Sequence, residues 1–550
     1  TLSDDIFDPG ESLLAIVQKG PGYIITPGMG RTTAFISAES LVSSVADASY
    51  AVGKSYNQWE NYNAFAALNQ DGGVITWGSE TDGGNSSAVS RQLASGVTSI
   101  ASTYSSFAAL KNNGSVVSWG SAANGGDNTE VAEQLSLGVV RIYSNYDAFA
   151  ALRKDGSLIT WGDNNNAADS SLVSDRIAFG VTDVISTKYA FAALKEDGSV
   201  VTWGRPSYGG DSSAVAEHIS SGVSRVFSNN SAFAALMNDG SVVTWGSEAN
   251  GGDSSMIAEQ LTSGITQVFA TSSAFAALKE TGAVATWGSE TGGGDSSSIV
   301  EQVASGITHI FANGSAFAAL TQNGSIVTWG AVTNGGNSSS VADKIDSGVI
   351  NIFATISAFA ALKDNGEVIT WGSNSSGGNS NLVSENLSSN VIHVYNTRTA
   401  FAALKDDGSV VTWGSNSDGG NSSTVTGEIS SGIIRIFSNR YAFAALKENG
   451  SVVTWGRSGY GGTSNEVTSL LQSGIITLSN TSTTDSLILS PLTSISVRTT
   501  HQGSEEDGRP TVFEFSRDSI EDGELSVNFL LQGTAINSID LAISEILNGP

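Results

Sequence analysis

The sequence predicts a mainly β protein made of a tandem array of three-stranded units, each with one short helix. A block of the form Ala-Phe-Ala-Ala-Leu, Asp-Gly, Val-Val-Thr-Trp-Gly recurs ten times, and its tryptophan returns every 42 residues from Trp77 to Trp455. A segment of alternating apolar and polar residues, typical of a half-buried strand, precedes the block. Spacing this strict indicates one supersecondary unit stacked on itself.

The three strands of a unit differ in their side chains. The first, residues 264–270 in one copy, alternates around a polar middle slot, Gln267, which we expect to face water. The second, Ala-Phe-Ala-Ala-Leu, is apolar on both faces, so we expect it to lie deepest. The Asp-Gly or Asn-Gly dipeptide that follows in nine of ten copies predicts a two-residue hairpin. The hairpin leads into the third strand, whose tryptophan we expect in the core.

The segment after the third strand predicts the short helix. A loop ending in Gly-Gly in nine copies is followed by Asp or Asn and serines. In residues 253–264, Asp253 and the serines can cap a helix start, and apolar residues recur at helical spacing. Gly264 is a natural C-terminal stop.

The unit resembles the repeat of the regulator of chromosome condensation family, the RCC1-like β-propellers. The shared words in one copy are Phe233-Ala234-Ala235-Leu236, Asp239-Gly240, Val242-Val243-Thr244-Trp245-Gly246 and Gly251-Gly252. The units here are shorter and more numerous than those of the family, so a closed propeller and an open, propeller-like superhelix are both compatible with the spacing. The resemblance implies an interaction scaffold and names no partner.

Three segments are predicted along the chain. Residues 1–54 are a degenerate N-terminal repeat or cap, because residues 22–28 keep the form of the tryptophan strand with Pro27 in the Trp slot. Residues 55–494 are the RCC1-like array. Residues 495–550 alternate strands with acidic turns, which predicts a partial β-sandwich at the C-terminus.

The C-terminal segment resembles the first half of a Calx-β domain. The words that carry the resemblance are the turn 504–508, the strand Val512-Phe513-Glu514-Phe515-Ser516-Arg517 and Gly533-Thr534-Ala535. Because only about half of such a domain is present, we expect either a longer parent protein or completion by strands of a partner. The resemblance implies bound Ca²⁺, with Glu505, Glu506 and Asp507 as candidate ligands that do not make a site by themselves.

The amino-acid composition limits where the protein is located and which partners it binds. The chain has 53 Asp and Glu against 25 Lys and Arg, a formal charge of −28, which opposes binding to nucleic acid or to anionic membranes. The absence of cysteine excludes disulfides and thiolate metal sites. Together these features predict an extracellular or cell-surface protein, exported by a bacterium, that does not insert into a membrane.

No catalytic motif is present. The four histidines, His218, His309, His393 and His501, form no ligand pattern, and neither a zinc-protease motif nor a phosphate loop nor a nucleophile elbow occurs. We therefore predict a protein that is not an enzyme.

Variation among the ten copies indicates a candidate interaction face. The loop before Ala-Phe-Ala-Ala-Leu and the loop after Trp-Gly both lie at the strand ends opposite the Asp-Gly hairpin, and both vary in sequence. The predicted interaction residues in these loops are Tyr104, Tyr146, Tyr189, Tyr208, Arg398, Arg440, Arg457 and Tyr460. Unconstrained drift of loop sequence explains the same variation, and the sequence does not decide between the two.

Two functions follow as hypotheses. The first is a non-enzymatic extracellular scaffold for adhesion or matrix contact, part of a larger bacterial surface or secreted protein, whose partner is a protein or glycan surface. The second is a self-assembling structural subunit of a filament or surface layer, in which a neighbouring copy completes the C-terminal half-domain.

Overall fold

The computed structural model describes residues 61–479, with Ile476 and Ser479 described by their backbone only, and four further strands by their backbone. The chain divides into two compact units, one of residues 47–488 and one that joins residues 1–46 to residues 489–550. Strands are numbered in chain order.

Ten three-stranded antiparallel sheets, which we call blades, make up the described part of the larger unit. The second strand of each blade lies between the other two. The first strands are β4 (Val97–Ser102), β7 (Val139–Ser144), β10 (Val181–Ser186), β13 (Val223–Ser228), β16 (Ile265–Ala270), β19 (Ile307–Ala312), β22 (Val349–Ala354), β25 (Val391–Asn396), β28 (Ile433–Ser438) and β31 (Ile475–Ser479). The second strands are β2 (Ala64–Asn69), β5 (Ser106–Lys111), β8 (Ala148–Arg153), β11 (Ala190–Lys195), β14 (Ala232–Met237), β17 (Ala274–Lys279), β20 (Ala316–Thr321), β23 (Ala358–Lys363), β26 (Ala400–Lys405) and β29 (Ala442–Lys447). The third strands are β3 (Val74–Gly78), β6 (Val116–Gly120), β9 (Leu158–Gly162), β12 (Val200–Gly204), β15 (Val242–Gly246), β18 (Val284–Gly288), β21 (Ile326–Gly330), β24 (Val368–Gly372), β27 (Val410–Gly414) and β30 (Val452–Gly456). The predicted mainly β fold of repeated three-stranded units is confirmed.

The tenth blade closes the array into a ring. It combines β2 and β3 from the start of the array with β31 from its end. Strands β2 and β31 are antiparallel, with Ala67 opposite Leu478. The indole Nε1 of Trp77 donates to the carbonyl of Gly461 at 3.2 Å, a contact between residues 384 positions apart. Of the two arrangements left open by the sequence, the structure therefore has the closed ring.

The core lies between consecutive blades. The Ala-Phe-Ala-Ala strands are 0–2% exposed and the ten repeat tryptophans at most 5%, which confirms both expectations. Each tryptophan packs against the phenylalanine of its own second strand, as Trp161 does against Phe149 at 5.1 Å. It also donates its Nε1 to the preceding blade, as Trp161 does to the Gly125 carbonyl at 3.0 Å. Alanine allows the blades to approach closely enough for these contacts.

The predicted helix takes the form of short 3₁₀ turns. In one copy the helical stretch Ser255–Leu261 is broken at Ile257, which has φ −123° and ψ 19°. Asp253 accepts the N–H of Ser255 at 2.9 Å, a local turn that competes with an α-helical start. A segment this short has too few residues to sustain an α-helix. The turns after the third strands are Glu80–Asp82, Ala122–Asn124, Asn164–Asn166, Pro206–Tyr208, Glu248–Asn250, Glu290–Gly292, Val332–Asn334, Asn374–Ser376, Asn416–Asp418 and Ser458–Tyr460. The later turns are Ser87–Val89, Thr129–Val131, Gln134–Ser136, Ser171–Val173, Ser213–Val215, Ser255–Leu261, Ser297–Ile299, Ser339–Lys344, Asn381–Val383 and Thr468–Leu470.

The hairpin loop is longer than predicted. Lys279 donates its N–H to the Ala283 carbonyl at 2.8 Å, so three residues rather than two form the loop. Its glycine, Gly282, has φ +74°, as in a turn followed by a left-handed residue. A Cβ at Gly282 would lie 2.6 Å from the backbone nitrogen of Gly306 in the next blade. Glycine is required here by the neighbouring blade as well as by the turn.

A β-bulge in the first strands changes which side chains face water. In β25, Val391 pairs with Lys405 and His393 with Leu404, so Ile392 has no residue opposite it. Ile392 is 55% exposed, whereas His393 is partly buried. The expectation that the polar middle slot faces water holds for Arg141 and Arg225, which are exposed, and fails for His393, where the extra residue of the bulge turns Ile392 outward instead.

The smaller unit contains a four-stranded sheet in the order β32, β33, β1, β34. Its strands are β1 (Ser12–Val17), β32 (Ile495–His501), β33 (Thr511–Arg517) and β34 (Leu541–Ile543). An N-terminal strand thus pairs antiparallel with a strand of the C-terminal segment. The predicted degenerate repeat at residues 22–28 and the acidic residues Glu505, Glu506 and Asp507 lie outside the described residues. The Calx-β resemblance remains a prediction.

Candidate interaction face at one end of the ring

Ten backbone segments, each just before a second strand, meet at one end of the ring. Tyr62 donates its N–H to the Tyr104 carbonyl at 3.2 Å, Tyr104 to Tyr146 at 3.0 Å, and the series continues to Arg398, which donates to Arg440 at 3.1 Å. Nine such bonds join residues spaced 42 apart, and the Arg440 guanidinium carbon lies 4.4 Å from the centre of the Tyr62 ring. At the roughly 4.8 Å spacing of hydrogen-bonded strands, a circle of ten is about 15 Å across. We call this circle the mouth.

The residues of the mouth fall into two groups. One run of the circle carries aromatic and cationic side chains, and in order around the ring these are Arg398, Arg440, Tyr62, Tyr104, Tyr146 and Lys188. The other run carries no charge, and consists of Asn230, Ser272, Gly314 and Ile356. The ring therefore has a chemically distinct side although its backbone repeats regularly.

Two equivalent constellations flank the aromatic run. In clamp 1 the Tyr189 and Tyr208 rings meet edge to face at 4.8 Å, and the Arg205 guanidinium lies 4.5 Å from the centre of the Tyr189 ring. The two loops of the blade supply these side chains, and Lys188 completes the clamp with its Nζ 5.0 Å from the Tyr189 ring.

Clamp 2 repeats this geometry six blades further along the chain. The Tyr441 and Tyr460 rings are 5.0 Å apart and edge to face, and the Arg457 guanidinium lies 4.2 Å from the Tyr441 ring. Arg440 takes the place of Lys188, at 5.5 Å from the same ring. Every member lies 252 residues, six repeats of 42, after its counterpart in clamp 1.

Other blades fill the same three slots with small polar residues. In the blade after clamp 1 the slots hold Ser231, Ser247 and Asn250. The Asn250 amide donates to both serine hydroxyls at 3.0 Å. A blade thus forms with small, hydrogen-bonded polar residues at these three positions, so the Tyr-Arg-Tyr sets are not required for folding.

Three tyrosines connect the two clamps. Tyr104 stacks on Tyr146 at 4.6 Å with 20° between their planes, and Tyr62 meets Tyr104 edge to face at 4.8 Å. Lys188 Nζ lies 4.3 Å from the Tyr146 ring at one end, and Arg440 lies over Tyr62 at the other. We call the two clamps and these tyrosines the mouth arc. Its aromatic and cationic groups form one continuous chain of contacts.

The structure brings together most of the predicted interaction residues. Seven belong to the mouth arc: Tyr104, Tyr146, Tyr189, Tyr208, Arg440, Arg457 and Tyr460. Arg398 joins the mouth through its backbone, beside Arg440. Sequence reasoning missed Tyr62, Tyr441, Lys188 and Arg205. The 42-residue register contained the signal for them, since Tyr62 precedes Tyr104 by one repeat and Tyr441 follows Tyr189 by six.

Carboxylates near the arc have partners within the loops. Asp147 accepts from the amides of Asn124 and Asn166, the second at 3.0 Å. Burial raises the pKa of Asp147, and the hydrogen bond from Asn124 opposes that rise. Asp418 accepts from Arg457 Nη2 at 2.7 Å and from the Thr399 hydroxyl at 2.8 Å. Burial also raises the pKa of the Tyr146 hydroxyl, which keeps it neutral.

The first strands form the innermost layer of the ring. Ser186 Oγ donates to the Ser144 carbonyl of the preceding blade at 2.8 Å, which joins neighbouring first strands. On this layer Arg141 Nη1 lies 3.9 Å from Asp183 Oδ1. Burial raises the pKa of Asp183, and Arg141 opposes that rise.

Two further sequence expectations concern metals and membranes. Among the described residues, no group of three or more His, Cys, Asp or Glu side chains is placed to hold a metal ion. In the same residues, none of the helices has the length and apolar character needed to cross a bilayer.

Comparisons with known proteins address the fold. Neither a family model nor a curated protein matches the chain. Prp20p from Saccharomyces cerevisiae, in a structure described with its binding to Gsp1p and histones, aligns at 16% identity over 58% of this chain and 83% of its own, with a TM-score of 0.29. Human WBSCR16 aligns at 15% identity over 57% of this chain and 89% of its own, with a TM-score of 0.26. The C-terminal domain of gp131 from bacteriophage phiKZ aligns at 10% identity over 62% and 96%, with a TM-score of 0.25. The repeated three-stranded sheets, rather than these low scores, are what fit RCC1-like propeller repeats.

Proposed function

We propose that this chain is a non-enzymatic extracellular binding scaffold, part of a larger bacterial surface or secreted protein, that holds a protein or glycan surface through the mouth arc. The observation that carries the proposal is the duplicated Tyr-Arg-Tyr set. Two of the ten blades replace a compact polar triad with large aromatic and guanidinium groups in the same three slots. Both clamps contact the same aromatic run of the mouth.

Residue chemistry supports a binding role. Tyrosine and arginine are enriched at protein interfaces and dominate their binding energy, because each offers a large contact area and a polar end. The closed ring supplies a rigid support, since nine hydrogen bonds join consecutive blades at the mouth and the Trp77–Gly461 bond joins the two ends of the array. A pre-organised surface of this kind loses little conformational entropy on binding.

The test replaces clamp 1 with the residues of the next blade. The variant Tyr189→Ser, Arg205→Ser, Tyr208→Asn restores a triad that the chain already folds. The control Ser247→Ala, Asn250→Ser exchanges two residues for those of other blades, outside the arc. Labelled full-length chains are applied to panels of immobilised extracellular-matrix proteins and glycans.

We expect at least one surface to retain the native chain and the control but not the clamp variant. Equal retention of all three chains on every surface would refute the proposal. Electron microscopy of the same samples tests the alternative, since regular filaments in all three chains would favour a structural subunit instead.

A further inference from the structure

We propose that the mouth arc binds an extended acidic peptide segment of a protein partner, with one carboxylate held at each clamp and the segment lying across Tyr62, Tyr104 and Tyr146. The inference rests on the proposed function and names its ligand class. Four observations carry it: the local charge, the orientation of the cations, the covered aromatic faces and the separation of the clamps.

Charge at the centre of the ring opposes the charge of the chain. The chain as a whole carries −28. Three of the ten mouth residues are cations, Lys188, Arg398 and Arg440, and none of the ten is a carboxylate. An electropositive centre within an acidic chain attracts anionic segments and directs them to that centre.

The clamp cations are oriented by aromatic rings. Arg205 and Arg457 lie over the Tyr189 and Tyr441 faces at 4.5 and 4.2 Å. Arg457 already donates from Nη2 to Asp418 at 2.7 Å, and Arg205 donates from Nε to the Asn165 carbonyl at 3.4 Å, so a ligand carboxylate binds the other N–H groups of each guanidinium. The stacking also limits rotation of the side chain, so less entropy is lost when a carboxylate binds.

The aromatic faces themselves favour a peptide over a sugar. Tyr104 and Tyr146 cover each other, and Lys188 lies over Tyr146. Tyr62 faces Arg440, and Tyr441 faces Arg457. Stacking of a pyranose needs an open ring face, and each of these four rings already has a face in contact with a cation or a neighbouring ring.

The separation of the clamps sets the spacing of the acidic residues. Lys188 and Arg440 are four positions apart on the circle of ten, and hence roughly 15 Å apart. An extended peptide advances about 3.3 Å per residue, so residues i and i+4 lie about 13 Å apart. Side-chain length covers the difference. The expected motif therefore has two acidic residues separated by three others.

The experiment measures fluorescence anisotropy of labelled peptides with the full-length chain at low ionic strength. The probe is Glu-Ser-Gly-Ser-Glu, with Glu-Glu-Ser-Gly-Ser and Lys-Ser-Gly-Ser-Lys as controls, and tetragalacturonate as an acidic glycan. The variants are the clamp 1 triple variant, the matching Tyr441→Ser, Arg457→Ser, Tyr460→Asn, and the Ser247→Ala, Asn250→Ser control. Circular dichroism confirms that each variant is folded.

We expect the spaced glutamate peptide to bind most tightly, and less tightly as salt is added. Either clamp variant should weaken it roughly tenfold or more, because one charge-assisted hydrogen-bonded contact is lost. The Ser247→Ala, Asn250→Ser control should bind as the native chain does.

Two results would overturn the inference in different ways. Clamp-dependent binding of tetragalacturonate without binding of the peptide would show an acidic glycan as the ligand, and the proposed scaffold function would stand. Equal peptide binding by the native and clamp-variant chains would show that the peptide does not bind at the mouth arc. The proposed function is refuted by a different result, namely equal retention of the native chain and the clamp variant on every immobilised surface.

Discussion

Closure of the ring depends on a contact that a single substitution can weaken. Trp77 is 4% exposed, stacks on Phe65 at 5.2 Å, and donates its Nε1 to the Gly461 carbonyl at 3.2 Å. In Trp77→Phe the carbonyl loses its donor within a buried contact, which costs about 1–3 kcal/mol. The smaller ring leaves space that adds about 1 kcal/mol. We expect the free energy of unfolding to fall by roughly 2–4 kcal/mol.

A matched control separates closure from local packing. Trp245→Phe removes the same kind of bond, from Trp245 Nε1 to the Gly209 carbonyl at 3.1 Å, between residues 36 apart. The Trp77 contact closes a loop of 384 residues. The entropic cost of closing a loop of 384 residues exceeds that of closing a loop of 36 residues by about 2 kcal/mol. The Trp77 variant should therefore open at the closing blade, whereas the control should lose stability without selective opening there.

The assay is urea unfolding combined with amide hydrogen exchange read by mass spectrometry. In Trp77→Phe we expect faster exchange in β2, β3 and β31 than in the other blades. In Trp245→Phe these three strands should keep their native protection. If the two variants show the same exchange in β2, β3 and β31, the reasoning about ring closure is refuted.

Two further predictions concern the blades. Gly125→Ala should destabilise the protein by about 1–2 kcal/mol, because Gly125 has φ +92° and an added Cβ would lie 2.6 Å from the Phe149 ring. Thermal unfolding of the variant and the native chain measures this loss. An unchanged melting temperature would contradict the prediction. Burial, reinforced by Arg435, lowers the pKa of His393 from 6.5 to about 4. The unfolded chain then binds a proton more tightly than the folded chain, so stability should fall as pH drops from 6.5 towards 4. Urea unfolding at the two ends of that window should show a smaller difference in His393→Gln, and an equal difference would disprove the assignment.

One blade has an alanine at a loop position that is glycine in the nine other copies. Ala167 stands where other copies have glycine, and it keeps the left-handed conformation at φ 87°. The neighbouring Phe191–Trp203 pair is tilted to 31°, whereas the Phe149–Trp161 pair beside Gly125 is stacked at 23°. The extra methyl group is thus accommodated by a shift of the adjacent aromatic pair, which shows how closely this glycine position is packed in the other blades.

The sequence by itself determined the unit and its interior. The period of 42, the alternation in the first strand and the Ala-Phe-Ala-Ala-Leu word are local patterns, and each reports a preference that one blade and its neighbour can satisfy alone. The common face of the two variable loops also followed, because antiparallel strands place alternate connections at opposite ends. These features need no knowledge of residues more than one repeat away.

The tertiary structure decided everything that depends on accumulated or distant geometry. Closure joins Trp77 to Gly461, and it depends on the rotation between blades, which packing of alanine and phenylalanine sets and which adds up over ten units. The hairpin glycine is required by the next blade as well as by its turn, because a Cβ at Gly282 would lie 2.6 Å from the Gly306 nitrogen. Closure also places Arg440 beside Tyr62, so that residues from both ends of the array complete one mouth arc; no local pattern contains that contact, because the two residues become neighbours only when the ring is shut.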